Sequence, residues 1–263
     1  MIETLLNDGY IEDEIESNHY LFGALTKEVL QADRDWRPFI PEGEPQSRQR
    51  IETNNCTAFG TLNAQEGYMK RKYNLALNFS DRYLGICSGT NGKGNSPHYV
   101  AEVERKYAGF IPENVMGFGE EIKSVSDYYD GLVWGHKLLG VKNLMKWDIG
   151  HEWALNGNET NWQEALYDAL LYSPVGIAVR AWSKDKDTYV RSGDNDNHWT
   201  TLVYAKKTRH SYQWWVADSY SPYYKVLESN YGFTRAKNYV IKPREDFGIE
   251  FYSRIGRGLL GAY

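Results

Sequence analysis

A cysteine at the head of a helix-like run is the natural place to look for a nucleophile. Cys56 follows Thr53-Asn54-Asn55, three residues that cap helices well, and opens the run Thr57-Ala58-Phe59-Gly60. A helix N-terminus carries partial positive charge, which favours thiolate over thiol. A thiol nucleophile needs a base within hydrogen-bond reach, and the base needs a third group to hold its ring. His198, in the strand-like context Asn197-His198-Trp199, lies 142 residues downstream of Cys56 and is the candidate base. Asp218, 20 residues after His198 in Trp214-Trp215-Val216-Ala217-Asp218-Ser219, is the candidate orienter. A carboxylate there favours the charged imidazole, which in turn favours the thiolate.

These residues must be carried by elements the sequence also announces. Residues 56–73 read as a helix, with Phe59, Leu62, Met69 and Tyr73 near one face and Asn74 ending it. Ser80 starts a short second helix, and a third runs from about Tyr99 to Tyr107. Between them Ser88 to Asn95 is too glycine-rich to be anything but a loop, and it lacks the Gly-Lys-Ser/Thr ending of a phosphate cradle. Leu21, Phe22, Leu25, Val29 and Leu30 recur at helical spacing and predict a helix over roughly 20–32. Residues 34–55 form a polar approach segment held extended by Pro38, Pro41 and Pro45. Residues 110–160 are mixed, and Trp162 to Tyr172 reads as a helix ended by Ser173-Pro174. Beyond that point Val175–Val179, Trp199–Ala205, Tyr212–Ala217 and Asn238–Lys242 have strand patterns. A helical first half followed by a strand-rich second half is an α+β layout.

Composition narrows the function classes. The 263 residues carry a net charge of −5, and no Lys/Arg stripe with interleaved aromatics offers itself to nucleic acid. Aromatics make up 15%, including 21 tyrosines and 9 tryptophans, and they suit strands and contact surfaces. No apolar run approaches membrane-spanning length, and the N-terminus has no secretory pattern. With only Cys56 and Cys87 there is no disulfide framework, which points to a reducing compartment. Cys87, after Gly85-Ile86, reads as structural. His19, His98, His136, His151 and His210 show no paired metal spacing, so neither metal nor cofactor is expected.

In chain order, several segments resemble the papain-like cysteine peptidases. Asp35-Trp36-Arg37 is similar to the Asp-Trp-Arg near the mature start of that family, and Cys56-Thr57-Ala58-Phe59 to its Cys-Trp-Ala-Phe helix start. Gly89 to Pro97 resembles its glycine loop, and Asn197-His198 with Leu202-Val203-Tyr204 its histidine strand. Trp215 to Tyr220 is similar to its Lys-Asn-Ser-Trp segment, and Gly232 to Ile241 to its closing strand. The resemblance spans roughly 34–242 and implies a two-lobed fold. A helical lobe (34–172) would face an antiparallel β-rich lobe (173–242) across a cleft, with an N-terminal extension (1–33) and a C-terminal tail (243–263). It implies an endopeptidase that works through a thioester on Cys56, with His198 as general base and acid and a polypeptide as substrate. Gly92, Gly94, Asn95 and Tyr220 fall at substrate-binding places.

The departures from the pattern are specific. Asp218 replaces the family's asparagine, and Tyr220 replaces the tryptophan that shields the His–Asn bond. The family's oxyanion glutamine precedes its cysteine by six residues; that place is Arg50 here, leaving Gln49 and Gln46 as candidates. No familiar inhibitory prosegment pattern shows in residues 1–33. Asn78 to Tyr83 and Gly94 to Pro97 are similar to papain-like proteins of tailed bacteriophages and their bacterial relatives. That likeness points to a cytoplasmic or virion-associated protein with other virion proteins as possible partners. It leaves open a structural or assembly role in the virion with little turnover. A thiol-type cell-wall amidase or transglutaminase is the third reading.

Overall fold

The computed structural model describes residues 9–48 and 50–244. Among these residues the α-helices run in chain order as α1 (Cys56–Tyr73), α2 (Asp81–Cys87), α3 (Pro97–Val103), α4 (Val125–Tyr128), α5 (Trp134–Leu144) and α6 (Trp162–Ala169). The strands are β1 (Ser47–Arg48), β2 (Ile51–Glu52), β3 (Trp147–Leu155), β4 (Val175–Val179), β5 (Ser183–Asp185), β6 (Thr188–Val190), β7 (His198–Lys207), β8 (Tyr212–Ala217), β9 (Tyr224–Leu227) and β10 (Ala236–Pro243). β1 and β2 form a small hairpin, while the other eight make one sheet in the order β3-β10-β4-β7-β8-β9-β6-β5. Every pairing in it is antiparallel except β6 with β9. α1 lies on the face of the sheet that carries Trp199 and Tyr239, while α6 meets the neighbouring Asn238 on the other face, in an α+β two-lobed arrangement.

α1 is the central helix, buried from Cys56 through Met69 apart from Asn63. Asn54 sits at φ +52°, a left-handed conformation asparagine tolerates, and turns the chain into the helix. The Asn55 carbonyl then receives the Ala58 and Phe59 N–H groups. None of the three preceding polar residues caps the helix through its side chain. Asn55 instead donates to the Asp81 carbonyl (2.8 Å) and the Tyr128 hydroxyl (3.0 Å), which ties α1 to α2 and α4. At the other end Asn74, also left-handed, returns its N–H to the Lys70 and Met69 carbonyls.

One side chain fixes how α1 lies on the sheet. Trp199, on β7, is wholly buried between Gly60 of α1 and Gly176 of β4. A Cβ at Gly60 would stand 2.7 Å from the indole, and one at Gly176 would stand 2.6 Å from it. Only glycines leave room for the ring.

Two expectations fail here. Residues 20–32 are not helical; the segment runs along the sheet edge, and Phe22 N–H and the Tyr20 carbonyl pair with Trp153 of β3. The buried Glu152 carboxylate takes the Gly23 and Leu25 N–H groups and the Thr26 hydroxyl, so backbone bonds across the edge replace those a helix would make. Strand β3 lies within the stretch expected to belong to the helical half, yet it extends the sheet beside β10. Of the segment 243–263 only Pro243 and Arg244 are described, so the expected tail lies otherwise outside the described residues.

Gly176→Ala is expected to cost about 1–3 kcal/mol by overpacking the Trp199 slot. A lowered denaturant midpoint with an unchanged slope would show it.

Candidate active site

Cys56 is the first residue of α1 and His198 the first of β7, and neither has any exposed surface. Trp199 anchors both starts, since it follows His198 directly and packs one helical turn beyond Cys56. The His198 ring hydrogen-bonds the Cys56 sulfur. Its Nε2 lies 2.5 Å from Asp218 Oδ1. An ionised carboxylate only accepts, so Nε2 carries the hydrogen and Nδ1 remains for the sulfur. Burial alone would push the imidazole down. The Asp218 carboxylate overrides that effect and, with the sulfur, raises His198 to about 9. Tyr220 lies with its ring 5.4 Å from the imidazole, and Trp182 stands edge-on at 5.8 Å. The structure thus brings Cys56, His198, Asp218 and Tyr220 into one constellation.

Lys225 belongs to the same constellation and was not identified from sequence. Its Nζ lies 2.6 Å from Asp218 Oδ2 and also donates to the Tyr220 and Pro222 carbonyls. Burial would raise Asp218, but His198 and Lys225 together hold it well below the usual carboxylate range. Nothing local distinguishes Lys225 from a surface lysine; only its β9 register opposite Val216 reveals its inward aim.

The Gln46 side chain is fully buried next to this group. Its Oε1 accepts from Ser219 Oγ at 2.6 Å, and its Nε2 meets Tyr220 OH at 2.6 Å and Glu52 Oε1 at 2.8 Å. Tyr220 OH in turn donates to Glu52 Oε2 at 2.7 Å, and the Asn54 N–H donates to Glu52 Oε1 at 2.9 Å. The β1–β2 hairpin intervenes between Gln46 and Cys56 and explains the longer sequence spacing. Arg50 stands at φ +71° in its turn, and Gln49 lies outside the described residues.

Across the cleft runs the glycine loop. Gly92 and Gly94 both have left-handed backbones (φ +80° and +81°), and the Gly92 carbonyl accepts from Asn54 Nδ2 at 3.0 Å. Asn95 presents its main chain toward the cleft, where an unexpected partner meets it. Asn95 N–H donates to the Gly9 carbonyl (2.9 Å), and Ile11 N–H donates to the Asn95 carbonyl (3.0 Å), a parallel bridge centred on Tyr10. Tyr10 N–H reaches the Asn197 carbonyl on the opposite lobe at 3.3 Å, and its ring stacks on Trp199 at 6.0 Å. Residues 9–11 therefore strap the cleft shut over the sulfur. A Cβ on Gly9 would stand 2.9 Å from Cys56 Sγ and 2.8 Å from the Asn54 carbonyl, so only glycine passes there. The sequence offered no such signal in residues 1–33.

The strap continues into a cluster of titratable groups beside a cavity of about 820 Å³. Asp13 accepts from Ser96 Oγ and from the His98 N–H, while the His19 ring stacks on His98 at 3.7 Å. Beneath them the wholly buried Lys237 lies over Trp153, with its Nζ 3.1 Å from His98 Nδ1 and 3.3 Å from His151 Nδ1. Glu102 closes the cluster on His151 Nε2 at 3.0 Å. Burial first, and Lys237 second, hold His98 and His151 down at about 3, and both factors also lower His19.

No protein-family model and no curated protein matches the sequence. Solved structures do share the fold. Digestive procathepsin L 3 of Tenebrio molitor larval midgut is 18% identical at a TM-score of 0.61, over 90% of this chain and 76% of that one. The proform of the ragweed pollen allergen Amb a 11, a cysteine protease, is 19% identical at 0.57, over 78% and 65%. The bromelain protease of Ananas comosus, in complex with the E64 inhibitor, is 15% identical at 0.57, over 80% and 96%. At these identities the likeness establishes a papain-like fold.

Gly9→Val is expected to expel the strap and speed thiol-reagent labelling of Cys56 by about tenfold or more; an unchanged rate would show that the strap does not guard the sulfur. The histidines predict a pH response as well. Burial beneath the strap helps hold His19 and His98 low, so its departure should raise their proton affinity and the released state should bind more protons. Asp13, raised by burial, acts in the opposite sense, one group against two. Release of the strap is therefore expected to grow as pH falls below the ordinary histidine range. Hydrogen exchange at the Tyr10 and Ile11 amides, corrected for intrinsic rate, checks this, and His98→Gln should flatten the response.

Proposed function

We propose that the protein is a cysteine peptidase held latent by its own strap, which hydrolyses peptide bonds through a thioester on Cys56. The observation that carries this reading is the buried chain Cys56–His198–Asp218, in which a sulfur at a helix tip meets an imidazole whose far nitrogen is fixed by a carboxylate. With the strap displaced, Cys56 Sγ attacks the scissile carbonyl carbon and the C–N bond breaks. His198 gives the leaving amine its proton. His198 then takes a proton from water, whose oxygen attacks the thioester, and the acid product leaves as the sulfur recovers its charge. The Cys56 N–H and Gln46 Nε2 are the oxyanion donors, and the substrate oxygen takes the place that Glu52 now holds on Gln46. The main chain of Asn95 and the Gly92–Gly94 loop bind the substrate backbone where the strap now lies.

The endopeptidase character and a place in a tailed-phage particle rest on the sequence resemblance. Purified particles probed with a Cys56-directed warhead would test the latter. Among the described residues no helix is long and apolar enough to cross a membrane.

In a Gly9→Val background, Cys56→Ala is expected to abolish peptide hydrolysis, and Gln46→Ala to lower kcat about 10²–10³-fold. His198 gains its proton affinity from Asp218, so the charged ring persists until pH rises through about 9. The alkaline limb of kcat/KM should fall there, and a limb near 6.5 would contradict the proposed pairing. Casein turnover that survives Cys56→Ala would overturn the reading.

A further inference from the structure

The resemblance places a neutral asparagine where this chain has Asp218, and the structure shows what accompanies the exchange. The Asp218 side chain has no exposed surface, and Lys225 is 2% exposed. A carboxylate this deep is costly unless paired and hydrogen-bonded. His198 satisfies Oδ1, but its charge is not permanent, because a base that delivers its proton becomes neutral. Without a second cation, each such delivery would leave a bare anion in the core. Lys225 occupies Oδ2 at 2.6 Å. The Tyr220 and Pro222 carbonyls, at 2.6 and 2.7 Å, take its remaining two hydrogens, so the ammonium is fully engaged and aimed. Trp182 and Tyr189 wall it off, their ring centroids 5.2 and 5.7 Å from Nζ.

We propose that Lys225 is a positioning residue: with Asp218 it forms a net-neutral pair that stands in for the amide, and it sets the proton affinity of His198. Asp218 still accepts the Nε2 hydrogen, but the imidazole no longer faces an uncompensated charge. The proposal rests on reading Cys56 and His198 as the reacting pair.

The other titratable groups facing this pair are Cys56 from α1, Tyr220 after β8, Tyr189 from β6 and Tyr231 after β9. Burial raises all three phenols, so they stay neutral across the working range. Burial lowers the Lys225 ammonium and Asp218 opposes that effect, so Lys225 is the positive charge left beside Asp218 once His198 is neutral.

The pairing makes predictions of opposite sign. Lys225→Met leaves Asp218 uncompensated, so His198 should titrate about one to two units higher and deliver its proton less readily. Asp218→Asn leaves Lys225 as an unpaired cation, so His198 should titrate lower by a similar amount. The double variant Asp218→Asn/Lys225→Met restores neutrality and should bring the titration back between the two. The measurement is the His198 ring titration by NMR in the full chain, with denaturant midpoints to confirm folding. The kcat/KM profile is then taken on the same three variants in the Gly9→Val background, where the alkaline limb should move in step with the ring.

A Lys225→Met protein that folds and titrates like the wild type overturns the proposal. If Lys225→Met does not fold, the decision passes to the other two: a double variant that titrates no differently from Asp218→Asn overturns it equally. Ring titrations that shift as stated in a protein without turnover would keep the proposal and remove the peptidase reading.

Discussion

The seating of one indole between two glycines governs the rest of this molecule. Trp199 follows the histidine in sequence, and Gly60 comes one turn after the cysteine. Pressing that ring against that turn brings the start of a helix and the start of a strand to a common point. Gly176 closes the slot from β4, so the three elements share one contact with no tolerance for an added carbon. The packing of Trp199 alone already brings Cys56 and His198 to the same place. Dispersion and shape place the two groups, and electrostatics then decides their protonation.

That second step is unusual in how deeply it is buried. Imidazole, carboxylate and ammonium line up without solvent access, each satisfied by the next, and the last by two carbonyls. A chain of this kind tolerates no half-measures, since a buried network is favourable only when every member is paired. Gln46 and Tyr220 form a parallel polar layer at its border, with Glu52 as the common acceptor. The two layers meet at residues 218–220, a short turn after β8 that supplies the carboxylate on His198, the Gln46 partner Ser219 and the ring beside the imidazole.

Much of this was legible in residue types and order. The bounds of α1 followed from apolar spacing and the terminal asparagine, and four of the sheet strands followed from their runs of branched and aromatic residues. Cys56, His198 and Asp218 could be named because each sits at an element end, where side chains are free to converge. Other features had no local signature. Lys225 differs from a solvated lysine only through strand register. Gln46 could be offered only alongside Gln49, because a hairpin displaces it along the chain from the expected spacing. The stretch 20–32 has a helical period, but β3 offers its backbone an edge and Glu152 offers its amides a carboxylate, and long-range bonds outweighed propensity. The role of Gly9 was invisible because a glycine's reason is whatever stands beside it, here a sulfur 47 positions away.

The two cysteines differ in accessibility in a way that bears on how the protein ages. Cys87 is partly open beside the cavity near α3, with burial raising its thiol, whereas Cys56 is covered on every side. Oxidants attack a thiol they can reach. While residues 9–11 are seated, peroxide should reach Cys87 before Cys56, so the cover over the sulfur would also spare it from sulfinic and sulfonic damage. A sulfur enclosed in this way would keep its thiol until it is uncovered.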